Sequence, residues 1–159
     1  MNKSEIPGPQ KKVLSMLLDD HRKVKKMFKD FESEKEDDAK QTLVEECCAA
    51  LKVHTELEET LFYPFLREQS PEDFGDLLDE ALVEHASAKD LIAQIESSDS
   101  NDNMWEAKFK VLGEYVAHHI EEEEGEVFPR IVKKKVDLSE LSTQMEEKRA
   151  ELEPSATEK

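Results

Sequence analysis

A chain of 159 residues holds one domain with terminal extensions. Its 39 Asp and Glu against 22 Lys and Arg give a formal net charge of −17, which repels phosphate backbones and anionic lipid headgroups and argues against nucleic-acid and membrane-surface partners. Hydrophobic residues make up 37%, charged residues 38%, and only 4 Gly and 6 Pro interrupt the chain, below the roughly 12% usual for that pair, so a helical protein is favoured and an all-β one nearly excluded.

Residues 1–11, with Pro7, Gly8 and Pro9, read as a flexible N-terminal arm. Apolar residues then recur at helical spacing through Val13, Leu14, Leu17, Leu18, Val24, Phe28 and Phe31, and the stripe passes through His21. The polar run at 32–40 ends it. A second stripe, Leu43, Val44, Cys47, Ala50, Leu51, His54, Leu57, Glu58 and Leu61, is expected to close near Pro64, which disfavours helix at its predecessor. Ser70, Pro71 and Asp73 form an N-cap, first-turn proline and third-position acid, so a third helix starts there and runs to about Glu96 through Leu77, Leu78, Ala81, Leu82, His85, Ala88, Ile92 and Ile95. After the polar loop SSDSNDN at 97–103, a fourth stripe carries Phe109, Leu112, Tyr115, Val116, His119, Glu123 and Val127, with Pro129 marking its end or a kink. Leu138, Leu141 and Met145 suit a short C-terminal helix, and the closing EPSATEK is expected to be disordered. The expected architecture is all-α, an up-down antiparallel four-helix bundle over residues 12–135, followed by a short helix and tail at 136–159.

The chain also resembles itself. DHRKVKKMF at 20–28 matches EHASAKDLI at 84–92, and HTELEETLFYPFL at 54–66 matches HIEEEEGEVFPRI at 119–131, the latter pair sharing H-x3-E-E-x4-P. The histidine offsets agree at 64 and 65 residues, so the bundle is expected to be a pseudo-twofold pair of helical hairpins with four histidines meeting in one layer. Glu58 and Glu123 each follow a histidine by four residues, one turn away on the same face. The candidate metal ligands are therefore His21, His54, Glu58, His85, His119 and Glu123. Imidazoles and carboxylates in a bundle interior bind iron, manganese or zinc, and without a metal their burial is expensive.

The remaining candidates are weaker. His118 lies about 100° around the helix from His119 and its repeat equivalent is Val53, so it is read as a non-ligand. Cys47, seven residues before His54, could be a redox group but has Leu112 as its equivalent, which favours core packing. Tyr115, one turn before His119, is expected to face inward, either lining the pocket or packing in the core.

The set DH at 20–21, HTELEETLFYP at 54–64, EH at 84–85 and HIEEEEGEVFP at 119–129 resembles the hemerythrin-like, or HHE cation-binding, family over residues 12–132. The resemblance implies two iron ions in a non-haem, carboxylate-bridged diiron centre, with His21 and His54 serving one iron, His85 and His119 the other, and Glu58 and Glu123 spanning both. The oxygen-carrying members place a second histidine one turn before the one on the third helix, where this chain has Ala81. That departure implies open positions on the metals, suited to reducing a small oxidant as much as to carrying oxygen; Glu84 and Glu80 are the nearest carboxylates to fill the gap.

The resemblance thus implies a partner that is a small diatomic ligand or peroxide, with an iron- or oxygen-responsive sensor, or iron storage, as alternatives. Ferritin-like proteins need Glu-x-x-His pairs, which no histidine here completes, and His-Glu-x-x-His is missing too. No apolar run approaches the roughly 18 residues of a membrane span, and the N-terminus lacks a signal-peptide core, so a cytoplasmic, stand-alone monomer is expected. The adjacent Cys47 and Cys48 diverge on a helix and make a poor disulfide, which fits a reducing compartment.

Overall fold

The computed structural model describes residues 1–153, and every regular element among them is helical. After a 3-10 turn at Lys3–Glu5 come α1 (Gly8–Ser33), α2 (Asp37–Leu57), a π turn (Glu58–Phe62), α3 (Tyr63–Gln69), α4 (Pro71–Glu96), α5 (Trp105–Glu122), a second π turn (Glu123–Val127), α6 (Phe128–Lys133) and α7 (Ser139–Leu152). Helix α1 packs on α2 and α5, α4 packs on α5, α3 and α2, and α7 lies against α1, α2 and the first π turn. No helix of the described residues is long and apolar enough to cross a membrane. Residues 154–159, most of the tail expected to be disordered, lie outside the described residues.

The N-terminal segment departs from the expected flexible arm. Helix α1 already begins at Gly8, with Pro9 in its first turn, where the missing N–H has no intrahelical partner to lose. Ile6 is buried in the core, the Gln10 amide donates to the Val136 carbonyl at 2.6 Å, and the Leu138 N–H donates to the Pro9 carbonyl at 3.0 Å. These bonds tie the start of α1 to the approach of α7.

Pro64 does not close the second helix. Instead the ladder widens into a π turn, in which the Tyr63 N–H bonds the Glu58 carbonyl five residues back, and α3 then opens with Pro64 in its first turn. A proline inside an α-helix removes one bond and clashes with the preceding turn, and the π turn resets the ladder where that conflict falls. The same solution appears before Pro129, where the Phe128 N–H bonds the Glu123 carbonyl. By contrast α4 starts as expected: the Ser70 hydroxyl accepts from the Asp73 N–H at 3.4 Å, and Pro71 sits in the first turn.

Two apolar clusters form the core. One gathers Leu14, Leu17, Phe62, Tyr63, Leu66, Phe74, Phe128 and the α7 residues Leu141 and Met145; the other gathers Val24, Cys47, Cys48, Ile92, Trp105, Phe109 and Leu112. On α1 the switch from Leu18 to Val24 passes through His21, and on α2 the switch from Leu51 to Leu57 passes through His54. The polar layer is thus sandwiched between two dry ones. In the second cluster α1 and α5 approach closely because position 113 is glycine: a Cβ there would stand 2.9 Å from the Phe28 ring.

Helix α6 ends in a left-handed residue, Lys135 at φ 56°, with the Val136 N–H reaching the Ile131 carbonyl at 3.1 Å. That position normally belongs to glycine, because a side chain there crowds the backbone. Lys135→Gly is expected to stabilise the protein by about 1 kcal/mol. Thermal unfolding measures it, and an unchanged or lower Tm would count against this reading of the helix end.

Candidate metal centre

The polar layer is built by four helices and the two π turns. His21 comes from α1, His54 from α2, His85 from α4 and His119 from α5, while Glu58 and Glu123 open the π turns. His21, His54, Glu58, His85 and Glu123 are buried, and His119 is nearly so, with 12% of its side chain exposed. The donor atoms fall into two groups, His21–His54–Glu123 and Glu58–His85–His119, each able to hold a metal ion, with all ligand atoms of a group within 4.8 Å of one another.

The carboxylates connect the groups. Glu123 Oε1 lies 3.1 Å from His21 Nε2 and its Oε2 lies 3.2 Å from His119 Nε2. Glu58 Oε1 lies 3.1 Å from His85 Nε2, 3.3 Å from His54 Nε2 and 3.6 Å from His119 Nε2. Among the described residues, His54 Nε2 and Glu58 Oε2 are buried with no hydrogen-bond partner; the 3.3 Å approach of His54 to Glu58 is too poorly aligned to serve. Buried polar atoms left without partners are destabilising, and a cation between them would engage both. Neutral imidazole and carboxylate donors suit iron, manganese or zinc, so the residues present fit a metal.

Outside this layer, each histidine meets a carboxylate through Nδ1. Glu124 Oε2 is 2.7 Å from His21, Asp20 Oδ2 2.8 Å from His54, Glu59 Oε2 2.9 Å from His85 and Glu84 Oε1 3.1 Å from His119. Such partners fix the Nδ1–H tautomer and aim Nε2 inward. The acid beside a histidine serves a different helix: Asp20 adjoins His21 but supports His54, and Glu84 adjoins His85 but supports His119. Glu84 is therefore an outer partner of His119, and Glu80 is exposed.

The electrostatics follow from this crowding. Burial disfavours the charged form of His54, but Glu58 and Asp20 outweigh it and push the group up to about 10. His119 is likewise held well above its ordinary value by Glu123, Glu58 and Glu84 against the effect of burial, and His21 is raised by Glu123 and Glu124. Glu58, despite its burial, is held well below the carboxylate range by His54, His119 and His85, and Glu124 falls to about 2 through His21.

Tyr63 was not among the sequence candidates. Its hydroxyl donates to Glu123 Oε2 at 2.6 Å and lies 3.1 Å from Glu58 Oε1, 3.3 Å from His119 Nε2 and 3.5 Å from His85 Nε2. Burial, then Glu123 and Glu58, raise its pKa well above the usual phenol range. Its ring stacks on His85 at 5.4 Å, as Phe128 stacks on His21 at 5.9 Å. Tyr63 follows Glu58 by five residues, a spacing that leaves the face of a regular α-helix, and only the intervening π turn brings it round. The available signal was Pro64 inside a continuing apolar stripe.

The weaker candidates lie apart. Tyr115 lines the cavity beside the site but is 46% exposed, so it does not pack in the core. His118 is exposed and pairs with Glu122 at 3.0 Å, forming with Glu84 a separate surface group. Cys47 and Cys48 are buried free thiols, which burial pushes far up for Cys47 and to about 12 for Cys48, making both poor nucleophiles.

Searches among curated proteins and among solved structures return no match. The family model for the hemerythrin HHE cation binding domain matches residues 12–131, which include all six inward donors and end before α7. The chain belongs to the hemerythrin HHE cation-binding domain family.

Proposed function

We propose that this chain is a non-haem diiron protein that binds dioxygen or reacts with a related small oxidant, peroxide or nitric oxide. The site lies in an up-down four-helix bundle whose halves are pseudo-twofold copies. The observation that carries the reading is the pair of three-donor groups sharing one buried layer, bridged by Glu58 and Glu123, with His54 Nε2 and Glu58 Oε2 unpaired among the described residues. The outer carboxylates support the repeat: Asp20 and Glu84, and Glu59 and Glu124, stand in matching positions of the two copies and make matching contacts.

Ligand size is the second support. The space beside the layer, bounded by His21, His54, His119, Val24, Ile92 and Val116, has a volume of about 30 Å³. A water molecule needs roughly 10–15 Å³ on such a measure, so a diatomic or a peroxide fits. Its mostly apolar wall also suits a weakly solvated gas.

Iron held by these residues would supply a reversible redox change and open coordination positions. His21, His54, His85 and His119 present Nε2 inward because Glu124, Asp20, Glu59 and Glu84 accept from Nδ1. Glu123 and Glu58 would neutralise the positive charge of metal held between the two groups. Val24, Ile92 and Val116 keep bulk water from the small cavity. In the metal-free protein Tyr63 holds a proton at its hydroxyl toward Glu123, and that proton would have to be displaced for the oxygen to serve iron(III) as a further donor in the group of Glu58, His85 and His119.

An anaerobic Fe(II) titration of the metal-free protein is expected to give about two irons per chain. Glu58→Ala with Glu123→Ala should abolish tight binding, and a wild-type chain that binds no iron sinks the reading. Tyr63→Phe is expected to keep the iron stoichiometry, since six donors remain, and to lose the visible tyrosinate-to-iron(III) absorption of the oxidised protein. Identical spectra from the two proteins would remove Tyr63 from the donor set.

Metal and protons compete for the same imidazoles. The raised groups His21, His54 and His119 contribute stability that is fully present below their ordinary value of 6.5 and lost as pH rises, toward about 10 for His54. The lowered carboxylates Glu58 and Glu124 contribute stability present above their ordinary value of 4.5 and lost as pH falls, toward about 2 for Glu124. The Tm of the metal-free protein should therefore peak between pH 4.5 and 6.5. Affinity for Zn(II), an air-stable probe, should rise with pH above that window, by up to about tenfold per unit for each proton displaced. A metal-free Tm that climbs with pH above neutrality contradicts this account.

A further inference from the structure

Two of the outer carboxylates have cationic side-chain partners, from different parts of the chain. Glu59, behind His85, is paired at 2.7 Å with Lys89, one turn from His85 on α4. Asp20, behind His54, is paired with Arg149: Nη2 approaches Oδ2 at 2.5 Å, and that same oxygen faces His54 Nδ1 at 2.8 Å. Arg149 belongs to α7, beyond the matched residues 12–131. The chain Arg149–Asp20–His54 is thus a direct polar connection from an appended helix to an inward donor.

Its parts are ordered by packing. Helix α7 buries Leu141 and Met145, with Leu138 just before it, in the same apolar cluster as Phe62 and Tyr63. That docking carries Arg149 to the flank of α1, where its side chain is 25% exposed and Asp20 is 16% exposed. A charge-assisted bond in so little water is directional, and it leaves Asp20 one geometry in which to accept from His54. Arg149 Nε is buried with no partner among the described residues, so the guanidinium is committed to this contact at some expense.

We propose that Arg149 is a positioning residue for His54, acting through Asp20, so that docking of α7 and metal binding at His54 are one linked equilibrium. Metal at His54 Nε2 favours the ring orientation that Asp20 and Arg149 hold, and by reciprocity it holds α7 down. The helix beyond the family domain would then report the state of the centre. The linkage rests on the metal reading above, whereas the positioning of the ring does not.

The test uses the full chain, labelled with ¹⁵N. In the metal-free protein the His54 Nδ1–H signal should be protected from solvent exchange, and Arg149→Ala should speed that exchange about fivefold or more, the low end of coupling between linked sites. Arg149→Lys, which keeps the charge, should recover part of it. With anaerobic Fe(II), α7 amides should exchange about fivefold more slowly, and Arg149→Ala should lose this protection and bind Fe(II) about fivefold more weakly. Unchanged His54 exchange and Fe(II) affinity in Arg149→Ala overturn the proposal, as does a variant whose only change is an equal loss of Tm with and without iron. A wild-type chain that binds no Fe(II) overturns the linkage together with the proposed function, while the His54 signal still decides whether Arg149 positions the ring.

Discussion

Six ionisable groups lie in one layer between two apolar clusters, and the rest of the structure answers to that placement. Isolated charges in such a position are destabilising by several kcal/mol each unless paired. Here each histidine is paired outward with a carboxylate, and Glu58 and Glu123 face histidines inward, while His54 Nε2 and Glu58 Oε2 keep an unmet demand that a cation would fill. Four helices must therefore meet at one level, and each histidine depends on a neighbour for orientation. Substituting one donor would leave its partners buried with unmet demand, so the layer is expected to behave as a unit.

The π turns are the backbone's part in the same arrangement. Each begins on a bridging glutamate and ends beside a proline, so one irregularity both accommodates the proline and turns a ring toward the layer. On one side that ring is Tyr63 over His85, on the other Phe128 over His21. The two differ by one hydroxyl. It lies within 3.5 Å of Glu58, His85, His119 and Glu123, so the two donor groups are chemically unequal although each has a glutamate that opens a π turn.

Much of this was legible in the residue order, and the gaps have identifiable causes. Helical spacing places His21, His54, His85 and His119 on buried faces, and the four-residue step to Glu58 and Glu123 survives because it lies within regular helix up to the start of each π turn. Tyr63 was hidden because its register depends on a backbone irregularity that apolar periodicity does not encode. Pro64 and Pro129 look like stops until the π turns are seen. Two of the outer carboxylates, Asp20 and Glu84, were visible as acids beside histidines, but neighbours in sequence are not the pairs that form, since side chains one residue apart on a helix diverge by about 100°. The docking of α7 was open for a different reason: three apolar residues suggest an amphipathic helix without saying what it covers.

Charge balance links the metal-free protein to the proposed centre. With neutral imidazoles, the carboxylates Asp20, Glu58, Glu59, Glu84, Glu123 and Glu124 have, among the described residues, only Lys89, Arg149 and the amino terminus as cationic partners, which leaves an excess of three negative charges. Three imidazoles, His21, His54 and His119, are correspondingly driven toward the protonated form. Protons on those rings and cations between them are alternative ways of meeting the same deficit. A single divalent ion would leave part of it unmet and one of the two donor groups empty, whereas two would more than cover it and leave room for a small anionic ligand. That arithmetic supports a dinuclear centre over a mononuclear one, and it follows from carboxylates that periodicity alone would have assigned to solvent.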